Sequence, residues 1–251
     1  MEWLDKWEES YDGHRFGDKS DSDSMKNKDT EMFNENGYEV RKKVLSKETC
    51  EIIHEYYKIK IKNNEFLFDK NDQVNNTINM YGDTLNDAIL KWTLPIAEEI
   101  VGEELYPCYT FMRVYNMDDE LRPHIDRPSC EFSATLPIKY DLPWPIFLQK
   151  YDFEKYGGYT ADHSGVEKSM INEKSKGLVL KTGDMCFYEG TKMSHWRKRY
   201  GGHECIQLFI HYVRKHGEFS DYKYDKRPNL GLPSIGEEEN LKSIEDYLFD
   251  D

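Results

Sequence analysis

The sequence predicts a mainly β, α+β domain: an antiparallel sandwich or barrel with helices packed outside it. Three observations predict this. Apolar residues recur at helical spacing up to about residue 101, and from Tyr106 onward at a period of two. Seven short strand-like segments then follow, with turn text between them that includes Asn116-Met-Asp-Asp, Tyr156-Gly-Gly, Thr182-Gly-Asp, Glu189-Gly-Thr and Tyr200-Gly-Gly. Aromatic residues make up 14% of the chain and can fill a core although 33% of residues are charged.

The elements follow in order. Residues 1–32 are rich in Asp, Ser, Lys and Asn without a sustained apolar period, and read as a mobile arm in which Trp3, Leu4 and Trp7 permit one amphipathic turn. Residues 33–105 form a helical support region. Tyr38-Glu-Val-Arg is a short strand, and Ser46 stands as N-cap to a helix over Lys47 to Lys60 whose apolar residues are Ile52, Ile53, Tyr56, Tyr57 and Ile59. A second helix runs from about Leu85 to Val101 on Leu85, Ile89, Trp92, Ile96 and Ile100, with a kink or break expected at Pro95. The β core spans 106–216, with strands at 106–115, 131–140, 145–152, 177–181, 185–188, 195–200 and 204–213. Residues 217–251 revert to polar text, a tail or an edge-covering extension. At 251 residues, one domain with polar ends is the simplest count.

Composition excludes several classes. With 34 Lys plus Arg against 48 Asp plus Glu, the formal net charge of −14 disfavours nucleic acid as a partner. No stretch approaches the roughly 20 apolar residues of a membrane span, and the first residues lack the basic-then-apolar order of a signal peptide, so a soluble, cytoplasmic protein is expected. The five cysteines are odd in number and form no CxxC pair, which reads as reduced, mostly buried thiols. There is no phosphate-binding glycine loop, no G-x-S-x-G elbow and no H-E-x-x-H.

The chemistry concentrates in two places. In Arg122-Pro-His-Ile-Asp-Arg-Pro, an extended backbone points His124 and Asp126 to the same side, so an imidazole and a carboxylate can grip one cation. A third ligand, His195, arrives after the turn at Thr182-Gly-Asp184 and a further strand. Two histidines and one carboxylate form the facial triad of non-haem Fe(II) oxygenases, although zinc accepts the same donors.

In motif order the segment 106–213 resembles the Fe(II)- and 2-oxoglutarate-dependent dioxygenases, and most of all their prolyl-hydroxylase-like branch, in which a helical part precedes the barrel. The resemblance implies a double-stranded β-helix, a jelly-roll or cupin-like barrel, with Fe(II) on His124, Asp126 and His195. It implies 2-oxoglutarate as cosubstrate with O2, ascorbate as an accessory reductant, and a Tyr before the His-x-Asp that hydrogen-bonds the cosubstrate, a place Tyr115 occupies nine residues before His124. The Arg or Lys usually found about ten residues after the distal His is missing, and Gln207 stands in that region. Strand parity offers Arg197, on the face of His195, as the anchor for the distal carboxylate, and Lys139 as a second candidate from an earlier strand. Arg113 and Arg127 are lesser candidates for contact with a substrate carboxylate or with Asp126, and His211 is the substitute should His195 not be a ligand. In related halogenating enzymes a small residue replaces the carboxylate, so Asp126 points to hydroxylation or a related oxidation. Branch resemblance favours a protein side chain such as proline as substrate, with a small molecule close behind. The competing reading is a catalytically silent barrel that uses the same pocket to bind a metal, sugar or peptide.

Overall fold

The computed structural model describes residues 30, 33–69, 74, 77–156, 171–172, 175 and 177–232. The expected N-terminal arm therefore lies outside the described residues except for Thr30, as do residues 233–251 of the extension. Among the described residues, ten strands form two sheets. They are β1 (Tyr38–Arg41), β2 (Leu67–Asp69), β3 (Thr77–Tyr81), β4 (Leu105–Tyr115), β5 (Leu121–His124), β6 (Phe132–Tyr140), β7 (Phe147–Lys150), β8 (Met185–Tyr188), β9 (Met193–Arg197) and β10 (Cys205–Arg214). The larger sheet has the order β1-β8-β6-β10-β4-β3-β2 and the smaller the order β5-β9-β7, with antiparallel neighbours throughout.

Alternation along the central strands separates two environments. From β4, β6 and β10, Met112, Val114, Ala134, Leu136, Ile206, Leu208 and Ile210 enter the main hydrophobic core. The helices α1 (Lys47–Lys62) and α2 (Thr84–Val101) cover that face. The opposite face of the same strands carries Tyr109, Arg113, Tyr115, Ser133, Thr135, Gln207 and His211, and looks toward the smaller sheet. One face of the larger sheet thus holds the fold together, and the other is left for polar chemistry.

The helices obey their caps more closely than their apolar lists. Ser46 caps α1 by accepting from the Thr49 amide at 3.1 Å, and Asp83 caps α2 by accepting from Leu85 at 3.0 Å. The buried stripe of α1 is Cys50, Ile53 and Tyr57, whereas Ile52 and Ile59 are exposed, as is Trp92 on α2. Three positions at i, i+3 and i+7 suffice to seat a helix on a sheet, so the wider set of apolar residues overstated the stripe. Pro95 sits inside α2 without ending it. Segment 177–181 contributes one bridge, Leu178 to Ile146, where a strand was expected. The strands β2, β3 and β5 were not expected. All five cysteines are free and buried. Among the described residues no helix is long and apolar enough to cross a membrane.

Part of the polar extension is built into the body. The 3-10 segment Ser220–Lys226 packs beside β4, and Arg227 behind it is buried, donating to Asp87 at 2.9 Å and to the Cys108 carbonyl at 3.0 Å.

Candidate active site

A cleft of about 200 Å³ opens between the two sheets, and three of its side chains converge on one point. His124 closes β5 and His195 lies in β9, where the two are direct cross-strand partners with ring centroids 4.1 Å apart. Asp126 follows two residues after His124, its amide donating to the Gly190 carbonyl at 2.8 Å. Its Oδ1 lies 3.5 Å from Nε2 of His124 and 3.5 Å from Nε2 of His195. Donor atoms of all three side chains fall within 4.8 Å of one another.

Hydrogen bonds orient each of the three donors. Nδ1 of His124 meets the Arg122 carbonyl at 2.8 Å, and Nδ1 of His195 meets the Met193 carbonyl at 3.0 Å. A carbonyl only accepts, so Nδ1 carries a proton in each ring, and Nε2 is the nitrogen turned toward Asp126. The Ser133 hydroxyl donates to Oδ2 of Asp126 at 2.6 Å, which leaves Oδ1 for the two imidazoles. Burial opposes ionisation of Asp126, but His195 and His124 together hold its carboxyl well below the usual range. Burial, reinforced by His124, pushes His195 down to about 4, so it is neutral at pH 7. A carboxylate facing two imidazole Nε2 atoms is the donor set of a cation site.

The remaining candidates divide into those that reach this region and those that do not. Tyr115 is fully buried and lines the cleft, and among the described residues its hydroxyl finds no hydrogen-bond partner. Arg197, also buried, donates to the Trp144 carbonyl, and its Nη2 lies 3.3 Å from both Thr135 Oγ1 and Gln207 Oε1. Its Nε is buried without a partner among the described residues. Arg113 is buried and lines the cleft, 4.9 Å from the Phe111 ring. His211 lines the cleft as well, with Nδ1 3.0 Å from Ser133 Oγ. Lys139 is exposed outside the cleft, which corrects its place among the anchor candidates. It has the parity of Ser133 and Thr135, but β6 has run past the cleft by that point, and Lys139 pairs with Ile206 beside a register shift. Arg127 points to Asp225 and not to Asp126. His203 is exposed.

Three contributors had not been singled out. Ser133 and Thr135 are readable from period-two alternation on β6, and both bond to site residues. Gly190 has no such signal. A Cβ there would lie 2.2 Å from the Cys130 carbonyl oxygen and 2.6 Å from Asp126 Oδ2, so the ligand loop closes only over a glycine.

No family model matches this chain, and no curated protein matches it in sequence. Solved structures do match. A prolyl-4-hydroxylase from Pseudomonas putida aligns over 76% of this chain and 99% of its own, at 12% identity and a TM-score of 0.54. The epimerase SnoN, crystallised with Fe3+, alpha ketoglutarate and nogalamycin RO, aligns over 84% of this chain and 93% of its own, at 12% identity and a TM-score of 0.61. HygX from Streptomyces hygroscopicus, with nickel, 2-oxoglutarate and hygromycin B bound, aligns over 75% and 87%, at 11% identity and a TM-score of 0.52. Likeness at this identity is a statement about fold: the chain has the double-stranded β-helix of the iron- and 2-oxoglutarate-dependent oxygenases.

Proposed function

We propose that this protein is an Fe(II)- and 2-oxoglutarate-dependent oxygenase that hydroxylates an unactivated C–H bond of a protein side chain, such as proline, or of a small molecule. The observation that carries this reading is the set of His124, Asp126 and His195, with both Nε2 atoms 3.5 Å from one carboxylate oxygen and both Nδ1 atoms committed to main-chain carbonyls. Three donors on one side of a cation leave its other positions to cosubstrate and oxygen.

The residues also fit 2-oxoglutarate. The partnerless Tyr115 hydroxyl and the partnerless Nε of Arg197 are buried polar atoms of the kind a bound carboxylate satisfies. In this reading Arg197 anchors the distal carboxylate from β9, with Thr135 and Gln207 holding its guanidinium in place. When bound, Fe(II) and 2-oxoglutarate supply an oxidation by O2 that releases succinate and CO2. The chain itself orients the metal through Ser133 and the two carbonyls, keeps His195 neutral by burial, and walls the cleft with Tyr109, Phe111 and Phe209 against water.

Addition of Fe(II) and 2-oxoglutarate under argon tests the reading. A weak visible charge-transfer band is expected from the chelate, and Asp126→Ala should lose both the band and succinate formation. A wild-type protein without the band is the silent barrel, and undiminished turnover by Asp126→Ala would overturn the ligand set.

A further inference from the structure

His211 is the cleft histidine that the proposed ligand set leaves unused, and its hydrogen bonding determines which of its nitrogens is bare. Ser133 Oγ lies 2.6 Å from Asp126 Oδ2 and 3.0 Å from His211 Nδ1. The carboxylate of Asp126 accepts and cannot donate, so the single hydroxyl proton of Ser133 is spent on it. The Cys130 carbonyl, 3.4 Å away, competes poorly with a charged acceptor at 2.6 Å. Ser133 Oγ is then left as an acceptor toward His211, and Nδ1 must supply the proton. Burial keeps this ring neutral at pH 7, so Nε2 of His211 carries a lone pair, and among the described residues it has no hydrogen bond.

The ring that carries this lone pair is held firmly. Tyr109 stacks on it with centroids 4.4 Å apart and planes 27° apart. Tyr81 stacks on Tyr109 at 5.0 Å, and the guanidinium of Arg127 lies 4.7 Å over the same tyrosine. The imidazole has little freedom to rotate away or to exchange its nitrogens. One nitrogen is within 4.8 Å of the Asp126 carboxylate, so the ring borders the cation site.

We propose that His211 is a substrate-contact residue: a neutral hydrogen-bond acceptor that selects molecules carrying an O–H or N–H group beside the carbon presented to the metal. The placement beside a reacting carbon rests on the oxygenase reading, whereas the tautomer and the acceptor role do not. An acceptor on a ring that lines a substrate cleft discriminates strongly, because an analogue without the donor leaves it unpaired. The cleft walls nearby are aromatic (Phe111 and Phe209), so the remainder of the selected molecule is an apolar or ring-shaped body.

The experiment uses full-length protein loaded with zinc and 2-oxoglutarate, diamagnetic and with no chemistry running, with 15N-labelled histidine. The imidazole spectrum should show His211 protonated at Nδ1 and bare at Nε2. Cyclohexanol should move the Nε2 resonance and bind about tenfold more tightly than cyclohexyl methyl ether, the equivalent of one hydrogen bond. His211→Phe keeps a ring on Tyr109 and should bind the two probes equally, while His211→Gln, which keeps an acceptor, should restore part of the preference. The opposite tautomer, equal binding of the probes to wild type, absence of any shift with the alcohol, or a preference that survives in His211→Phe would each overturn the proposal. Should the Phe variant fail to fold, the wild-type tautomer and the wild-type probe ratio decide. The anaerobic charge-transfer band is read on separate samples, so loss of the oxygenase reading is seen independently of loss of the acceptor.

Discussion

Arg127, the residue after the carboxylate that faces both histidines, is held at two points by Asp225, with Nη1 to Oδ1 at 3.0 Å and Nη2 to Oδ2 at 2.6 Å. Tyr81 donates a third hydrogen bond to the same acid at 2.5 Å. To reach this place the backbone takes positive φ at Tyr224, Asp225 and Lys226 in succession, none of them glycine. Side chains with a Cβ resist that conformation, and a run of three persists only where the surrounding contacts over-determine it. The C-terminal segment is therefore fastened to the ligand loop and does not merely cover an edge.

Removing the acid should loosen both. Asp225→Ala leaves Arg127 and the Tyr81 hydroxyl without their acceptor and releases the strained turn. Because the arginine side chain is 40% exposed while the acid is 9% exposed, the expected loss lies between the limits for exposed and buried pairs, about 2 kcal/mol in urea unfolding. A variant as stable as wild type would show that the turn is held by Arg227 alone.

Ser133→Ala tests how much the orientation of Asp126 matters. The carboxylate keeps its charge but loses the donor that reserves Oδ2. Metal affinity should fall roughly 10- to 100-fold with little change in stability. Competition of the zinc protein against a chromophoric chelator measures this directly, and an unchanged affinity would mean the two histidines alone orient the acid.

How much of this was legible in the sequence depended on whether the signal was local. His124, Asp126 and His195 are readable because two-residue parity on an extended chain puts donors on one side, and the barrel then sets β5 against β9 in register. The same parity puts Arg197 on the buried side of β9, against Thr135 and Gln207. It misplaced Lys139, since alternation tells which face a residue is on and not where the cleft ends along the strand. The strands β2 and β5 are three and four residues long, and β5 contains Pro123, so neither carries enough period to be seen. Least visible was the Arg127–Asp225 contact. It joins residues 98 apart through a turn with no glycine or asparagine to announce it.

Arg197 is open to a test that separates cosubstrate from metal. Arg197→Lys keeps the charge but not the fork, and Arg197→Leu keeps neither. Under argon, the concentration of 2-oxoglutarate needed to develop the charge-transfer band should rise by about two orders of magnitude in the Leu variant and by less in the Lys variant, with zinc content unchanged in both. If the titration is unmoved, the distal carboxylate is anchored elsewhere, and Arg113 is the next residue to change.

Acid should destabilise the metal-free protein through its buried histidines. Burial holds both His195 and His211 at about 4 in the folded chain, against an ordinary value of 6.5. Between those values the unfolded chain binds protons that the native one refuses, so stability is full above about pH 6.5 and falls as the pH drops toward 4. Asp126 adds to the trend at lower pH, because its depressed value stabilises the fold only while it is ionised. The Tm at about pH 4.5 should lie several degrees below that at pH 7. His211→Phe should flatten part of the slope, and an unaltered slope would assign the effect to other groups.

Gly190→Ala asks whether the loop or the ligands set the geometry of the site. The added methyl meets a main-chain carbonyl at 2.2 Å and the carboxylate of Asp126 at 2.6 Å, and the Ser133 hydroxyl at 2.6 Å blocks a third direction. No flexible side-chain end is available to yield, so the loop carrying Asp126 must move outward and break the bond from its amide to the Gly190 carbonyl. Both histidines sit on paired strands and stay where they are. The expected variant is folded, with wild-type far-UV circular dichroism, yet binds zinc at least about tenfold more weakly, because two fixed imidazoles have lost their third donor. Wild-type affinity in a folded Gly190→Ala protein would mean that the ligand loop adapts, and that the preorganisation assigned here to Ser133 and the Gly190 contact is not what holds the carboxylate in place.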